Sequence, residues 1–591
     1  MTIRSTKELQ FEVSKAVSTA ARQLGKAADT QFGQAVLGMM INGGAESSNP
    51  AGVSLAGRFN EAMKPMNDMA HIYRTEGFRK YLGKSAPLAK DADGVVAKAE
   101  LDVGTLTDFS QITGGQALGY VSLDTRLARS TVRPSSFTLY QHLDKSAANQ
   151  VVDYWAAATS TGGALPGAAF SSYSGVGAGT LATNAGSYEL ENITLRLLVD
   201  GRAITTALAA QNSFVNVSEQ ETTNAALSIL SSVNWANYFG NPTLFTNQFE
   251  GLYNSIPTAN FFDFNEFYTS GPAVQEGWSK SLTLFNLIYE AAAQITSFNT
   301  FGHITHAFMS PTAMGSMEGL TQQQLNNILN EFSSHQGRAP IWDNGNLMGM
   351  RTRFGDIQYP IDLFITARDT PAQGILNPDG TNNASLTNPT PPVSVTVTVS
   401  AAAAGSKFSG SYAPTAGATY TYVVASCDGS MNESVLCGGN AAATGVVAGD
   451  GVKLVIAPPS DTTAAVFRVY RSGLGYSSSA TAATAITAGE FRHIADVAAN
   501  GASDVTFFDL NTHIPGSDTI FLLDLDEGDF ALDYRFLLPL SRIDLFAQSL
   551  YMPWAIATIG AIRNRIPKFH GVITNFVADS PVWDPLSSSN S

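Results

Sequence analysis

A few groups of residues in this chain carry side chains able to do chemistry, and each falls short of what that chemistry needs. His303 and His306 stand three apart in an apolar run; in a strand that spacing sends them to opposite faces, where one metal ion cannot take both. Asp524, Asp526, Glu527 and Asp529 form an acidic cluster. A calcium loop needs the EF-hand spacing with its glycine and distal glutamate, and only fragments of it occur, so a solvated turn is expected here. Cys427 and Cys437 are the only two cysteines, too few for a disulfide framework or a four-ligand metal site, and are expected as small strand residues near a turn. His493 and His513 have no evident partner. Tyr420, Tyr422, Phe467 and Tyr470 are expected in a β core rather than on a sugar-binding platform. There is no lysine-bearing phosphate loop, dinucleotide fingerprint, nucleophile elbow or zinc-protease helix. The expectation is a non-enzyme with no catalytic, cofactor-binding or metal site.

If no side chain does chemistry, the work falls to surfaces, and composition says which kind. At 591 residues the chain exceeds one hydrophobic core, and two or three domains are expected. Charged residues make up 14%, against ~25% in ordinary soluble domains; Gly, Ala, Ser, Thr and Asn take their place. Such a surface is poorly solvated in a lone monomer and suits burial against further copies of the chain. The net charge is −15, with 13 Lys/Arg against 10 Asp/Glu in residues 1–100 and 21 against 39 in the remainder. That balance argues against a specific nucleic-acid binder. The first 30 residues carry charges throughout and no apolar signal core. No apolar run approaches the ~20 residues of a membrane helix. Cytoplasmic synthesis and no membrane partner are expected.

The elements group around 218–252. Ser218 and Glu221 form a capping box; Ala226, Ile229, Leu230, Val233, Ala236 and Tyr238 follow at the spacing of one helix face, and Gly240-Asn241-Pro242 stops it. Phe249-Glu250-Gly251-Leu252 is a return. Before this helix, residues 1–135 read as a helical arm without a core of its own. Strand-like 151–155 gives way to a stretch of Ala, Gly, Ser and Thr over 156–188, with no Lys, Arg or acid. Residues 190–199 alternate as a strand, Asp200-Gly201 signals a hairpin, and 203–208 returns. After it, Leu284, Leu287, Ile288, Ala291, Ala292 and Ile295 mark a helix ended by Gly302. A buried strand is expected over 303–309, a helix opening at Ser310-Pro311, and returning strands over 354–367. Residues 371–392 read as a linker. Alternating strands near 393–399, 420–425, 452–456, 466–471, 491–497 and 505–508 predict a β-sandwich.

The long helix with its abrupt stop and F-x-G-L return resembles the spine helix of tailed-phage major capsid proteins of the HK97-like fold. The order strand, long polar excursion, alternating strand, helix over 137–240 is similar to the extended loop and spine of that family. The strand followed by Ser310-Pro311-Thr312 resembles its axial domain. Phe536-Leu537-Leu538-Pro539-Leu540 and Pro567-Lys568-Phe569-His570-Gly571-Val572-Ile573 resemble its peripheral-domain C-terminus. Phe467 to Ser472 looks like a strand of the fibronectin type III or Ig-like modules carried by virion proteins.

The resemblance implies an α+β HK97-like capsid fold plus an inserted all-β Ig-like sandwich. Its parts are an arm (1–135), a first peripheral part (136–255, extended loop about 156–189, spine helix about 218–240) and an axial domain (256–370). A linker (371–392), the sandwich (393–516) and the rest of the peripheral domain with a tail (517–591) follow. It implies homo-oligomers, the hexamers and pentamers of an icosahedral virion shell assembled in the host cytoplasm. It further implies decoration or cement proteins, scaffold and portal as expected partners, and non-specific double-stranded DNA on the inner face. Inter-subunit contacts are expected from Trp155, Phe170, Tyr173 and Tyr188 in the loop and Trp235 and Tyr238 in the helix. Some family members cross-link this loop through a lysine; here none occurs between Lys145 and Lys280, so no autocatalytic isopeptide bond is expected. An encapsulin-type compartment shell and a host-surface or glycan-binding adhesin are the alternatives.

Overall fold

In the strand Asp518–Leu523, Phe521 and Leu523 fall in one hydrophobic core and Ile520 and Leu522 in another, with none exposed. Side chains alternate across a strand, so the sheet holding this one separates two cores. The computed structural model describes residues 132–160, 186–205, 217–270, 278–298, 300–319, 339–343, 346–369, 389–437, 441–460, 464–476, 490–526, 530–546 and 551–587. All belong to the unit Asp124–Ser591. The expected arm and linker lie almost wholly outside them.

In chain order, α1 (Thr138–His142) leads to β1 (Asp144–Ala147), β2 (Val152–Ser160), β3 (Ser187–Thr194) and β4 (Arg196–Thr205). The long helix α2 (Val217–Phe239) is followed by α3 (Leu252–Ser255), β5 (Phe261–Asp263), α4 (Phe264–Ser270), α5 (Lys280–Ile295), β6 (His306–Phe308) and α6 (Pro311–Glu318). Next come β7 (Ala339–Asp343), β8 (Asn346–Thr352) and β9 (Gly355–Gln358). Eight strands of a second body follow: β10 (Ser394–Ser400), β11 (Ala418–Cys427), β12 (Glu433–Leu436), β13 (Ala441–Val446), β14 (Gly451–Ala457), β15 (Val466–Ser472), β16 (Phe491–Ala498) and β17 (Val505–Asp509). Last are β18 (Asp518–Leu523), β19 (Leu532–Asp544), β20 (Tyr551–Asn564) and β21 (Gly571–Phe576).

The central sheet has the order β5-β21-β18-β6-β9-β8-β7. Helix α2 covers the face of Phe308, Phe521 and Val572 with Ile229, Val233 and Tyr238. Helix α5 covers the opposite face, where Leu284, Leu287, Ile288, Ala291, Ala292 and Ile295 form the buried stripe that their spacing predicts. Ser279 caps α5 by accepting from Leu282 N, and Ser310 caps α6 by accepting from Ala313 N, with Pro311 in the first turn. A second sheet, β1-β19-β20-β4, packs on α2, and β2-β3 stands as a ribbon of its own. Between β9 and β18, the sheets β10-β14-β17 and β12-β11-β15-β16 enclose a core of Tyr420, Tyr422, Val452, Leu454, Phe467 and Val469. This is an antiparallel sandwich containing all six expected strands, plus β12, only four residues long, and the Ala-rich β13, neither of which carries an alternating pattern long enough to read.

Several expectations are corrected. Asp200-Gly201 is no hairpin: β4 runs straight through it, pairing with β20 from Arg196↔Gly560 to Thr205↔Tyr551. Ten paired residues outweigh a local turn preference, and the chain breaks instead at buried Leu195, whose N–H donates to Val151 O. Ser218 lies inside α2 rather than capping it, and Glu221 faces Arg202 at 3.4 Å instead of the backbone. The 303–309 strand shortens to His306–Phe308, and 354–367 supplies one strand and a 3-10 helix, Leu363–Arg368, capped by Asp362. Residues 517–591 serve two sheets: β18 and β21 sit in the central one beside β5 and β6, while β19 and β20 sit in the other. Asp524 is fully buried, accepting from His303 N and Asp526 N, so the acidic cluster is not simply a solvated turn; Glu527 and Asp529 lie outside the described residues. His493 and His513 have partners after all, Asp496 at 3.0 Å and Asp369 at 2.8 Å.

Candidate assembly surface

The ribbon β2–β3 turns its apolar side chains outward. Its register pairs Tyr154 with Asn192, Trp155 with Glu191, Ala156 with Leu190 and Ala158 with Tyr188. Cross-strand partners share a face and chain neighbours do not. Tyr154, Ala156, Ala158, Tyr188 and Leu190 therefore form one side, and Asp153, Trp155, Glu189 and Glu191 the other. On the first side Tyr188 is 75% exposed, Leu190 70% and Tyr154 55%. Among the described residues no third strand joins this ribbon. An isolated pair of strands is at best marginally stable in water, and a contiguous apolar face marks a contact site.

What holds the ribbon is a buried ion cluster at its root. Arg563 of β20 donates to both oxygens of Asp533 of β19, at 2.8 and 2.6 Å, and to Asp153 of β2 at 2.6 Å. Arg535 of β19 grips Asp153 with two bonds of 3.0 Å and reaches Ser146 of β1 with a third. Ser146 in turn donates to Asp533. Two-pronged guanidinium–carboxylate pairs fix direction as well as distance, so β2 leaves the four-stranded sheet at a set angle. The Arg563 guanidinium lies 5.8 Å from the centre of the Trp155 ring, at the same root.

Further apolar side chains are exposed on the same sheet. Leu197 and Val199 face solvent on β4, its edge strand, and Ile543, Leu545, Phe546, Tyr551 and Met552 do so toward the far ends of β19 and β20. Of the contact residues expected from sequence, Trp155 and Tyr188 lie on the ribbon, on opposite faces. Trp235 is half-buried on α2, its ring 6.0 Å from Phe239. Tyr238 is fully buried and its hydroxyl donates to Asp362 at 3.1 Å. Burial and the Asp362 charge push its pKa well above the usual tyrosine range, so its side chain has no surface left to offer another chain. Phe170 and Tyr173 lie outside the described residues. Tyr154 and Leu190, not among the residues expected from sequence, share the exposed face with Tyr188; the period-two pattern of 187–194 already places Leu190 beside Tyr188.

Other titratable groups serve packing. His306, beside His142, is lowered to about 4 by burial and by that neighbour. Among the described residues no group of three or more His, Cys, Asp or Glu is placed to hold a metal ion, and no helix is long and apolar enough to cross a membrane.

No protein-family model matches the chain, and no curated protein matches it. Among solved structures it is similar to the capsid of Myoviridae phage XM1, at 8% identity and a TM-score of 0.37, covering 79% of this chain and 99% of that one. It is similar to the capsid of a native GTA particle at 9% identity and a TM-score of 0.37, covering 80% of this chain and 100% of that one. The holo-SrpI encapsulin complex from Synechococcus elongatus PCC 7942 overlaps at 7% identity and a TM-score of 0.34, covering 79% of this chain and 95% of that one.

Proposed function

We propose that this chain is a shell-building subunit: a major capsid protein of a tailed bacteriophage, HK97-like in fold, with the sandwich as an inserted Ig-like domain. The observation that supports this most is the ribbon, which presents Tyr154, Tyr188 and Leu190 to water from a root locked by Asp153, Asp533, Arg535 and Arg563. A rigidly aimed apolar arm with no further strand over it among the described residues is suited to lie across a second copy. Head-to-tail contacts of that kind close into rings of six and five copies, each copy burying on the order of 2,000–5,000 Å². On this reading α2 is the spine, residues 256–370 the axial part, residues 1–135 an inner arm near packaged double-stranded DNA, and 517–591 completes both sheets. The lysine-free stretch from 146 to 279 leaves the loop without an amine nucleophile. The shell is then held by noncovalent contacts and by decoration or cement proteins.

The full chain, expressed alone or with its scaffold, is expected to sediment as closed shells visible by negative-stain electron microscopy. A stable lone monomer under conditions that include the scaffold overturns the proposal. Nuclease-protected double-stranded DNA inside native particles separates a virion from a compartment that holds protein cargo.

A further inference from the structure

The sandwich does not hang on a free tether. Its return to the central sheet is pinned: His513 Nε2 pairs with Asp369, Gly516 N donates to the same carboxylate, and Asn575 of β21 bonds both Ile514 N and Thr512 O. Beside this junction the sandwich rests on a small seat. Phe245 packs with Cys427 and Val466, and Lys407 pairs with Asp263 at 2.9 Å and Glu266 at 2.7 Å. Among the described residues this seat is a small apolar cluster with two partly exposed ion pairs, and pairs of that kind contribute little.

The segment after β21 crosses that interface. Ala578 is buried in the α5 core, Asp579 N donates to Ser316 Oγ at 2.9 Å, and the Asp579 carboxylate pairs with Lys280 at 3.8 Å. The chain then reaches the sandwich. Trp583 is 2% exposed and lies so close to Gly516 that a Cβ there would meet its Cε3 at 2.5 Å. The Arg492 guanidinium of β16 sits 5.9 Å from the Trp583 ring, and Pro585 O accepts from Leu474 N at 2.9 Å. We infer that residues 579–587 are a strap that locks the sandwich onto its seat, so that releasing the Trp583 contact lets the sandwich lift while both bodies stay folded. The inference is independent of the shell-building proposal. It rests on the strap being anchored in both bodies, which adds a further point of attachment to those the chain connections already provide and so favours the closed seat.

Cys427 reports on the seat directly: its side chain is fully buried against Phe245, and burial pushes its thiol pKa up to about 12, so it is unreactive while the seat is closed. The test labels the full chain with a thiol reagent such as DTNB in a Cys437→Ala background, comparing Trp583→Ala, Arg492→Ala and the double variant. Trp583→Ala is expected to raise the Cys427 labelling rate by about tenfold or more through local opening. Arg492→Ala should raise it less, and the double variant should match Trp583→Ala, with far-UV circular dichroism and the main thermal transition unchanged. Rates within about twofold of the parent in both single variants, or rates that rise only when the main transition also collapses, overturn the strap. If Trp583→Ala fails to fold, Arg492→Ala decides by the same readout.

Discussion

Asp362 is fully buried and accepts from Leu139 N, Phe364 N, Asn234 Nδ2 and Tyr238 Oη, joining α1, α2 and the 363–368 turn at one carboxylate. Removing it strands several buried donors at once. Asp362→Ala is expected to cost about 3–5 kcal/mol, read as a drop in the urea midpoint with unchanged slope. Asp518 behaves differently. Burial, with a smaller push from Asp369, raises its carboxyl from 3.8 to about 6, despite the hydrogen bond from Thr312. Its folded pKa lies above its unfolded one, so ionisation weakens the fold above about pH 6, and that penalty fades as the pH falls from 6 toward 3.8. Asp518→Asn should therefore be more stable than the parent at pH 7.5, with the difference vanishing near pH 4 in denaturant titrations. His570 has the opposite sign: buried and lowered to about 3, it stabilises fully above 6.5 and loses that contribution as the pH falls through this range. None of these hubs was legible in the sequence, because each unites residues more than forty positions apart.

At the scale of elements, legibility followed the physics of periodicity. The α5 stripe and the six alternating sandwich strands could be read because burial of one face leaves a period in the sequence. The straight course of β4 through Asp200-Gly201 could not, because its cause is β20, hundreds of residues away. Tyr238 was misplaced for a related reason: helical spacing shows that it belongs to the apolar face but not whether that face meets its own chain or another. The F-x-G-L return is now explained. A Cβ on Gly240 would run into Phe249 O, and one on Gly251 would meet Ala236 O at 2.6 Å, both of them backbone atoms. The return closes by the Gly251 N–H donating to Gly240 O at 2.9 Å. Gly240→Ala is expected to cost about 2–3 kcal/mol by forcing this closure apart, measurable as a lowered thermal midpoint in the full chain.

For the molecule as a whole, the proposed association surface on the ribbon is separable from folding, because Tyr154, Tyr188 and Leu190 are more than half exposed. Tyr188→Ser with Leu190→Ser should leave the unfolding free energy within about 1 kcal/mol of the parent while abolishing large particles on sedimentation. Particles that persist at parental yield would remove the ribbon from the association surface. The central sheet carries a consequence in time. Strand β18 is wedged between β21 and β6, so β5 and β6 leave the ribosome long before the strands that must lie beside them. Until residue 576 has emerged, the two helical layers have no complete floor to press on. An interrupted translation product thus carries an open slot where its middle should be, and a chain cut short before β21 is expected to lack a closed core on either side of the sheet.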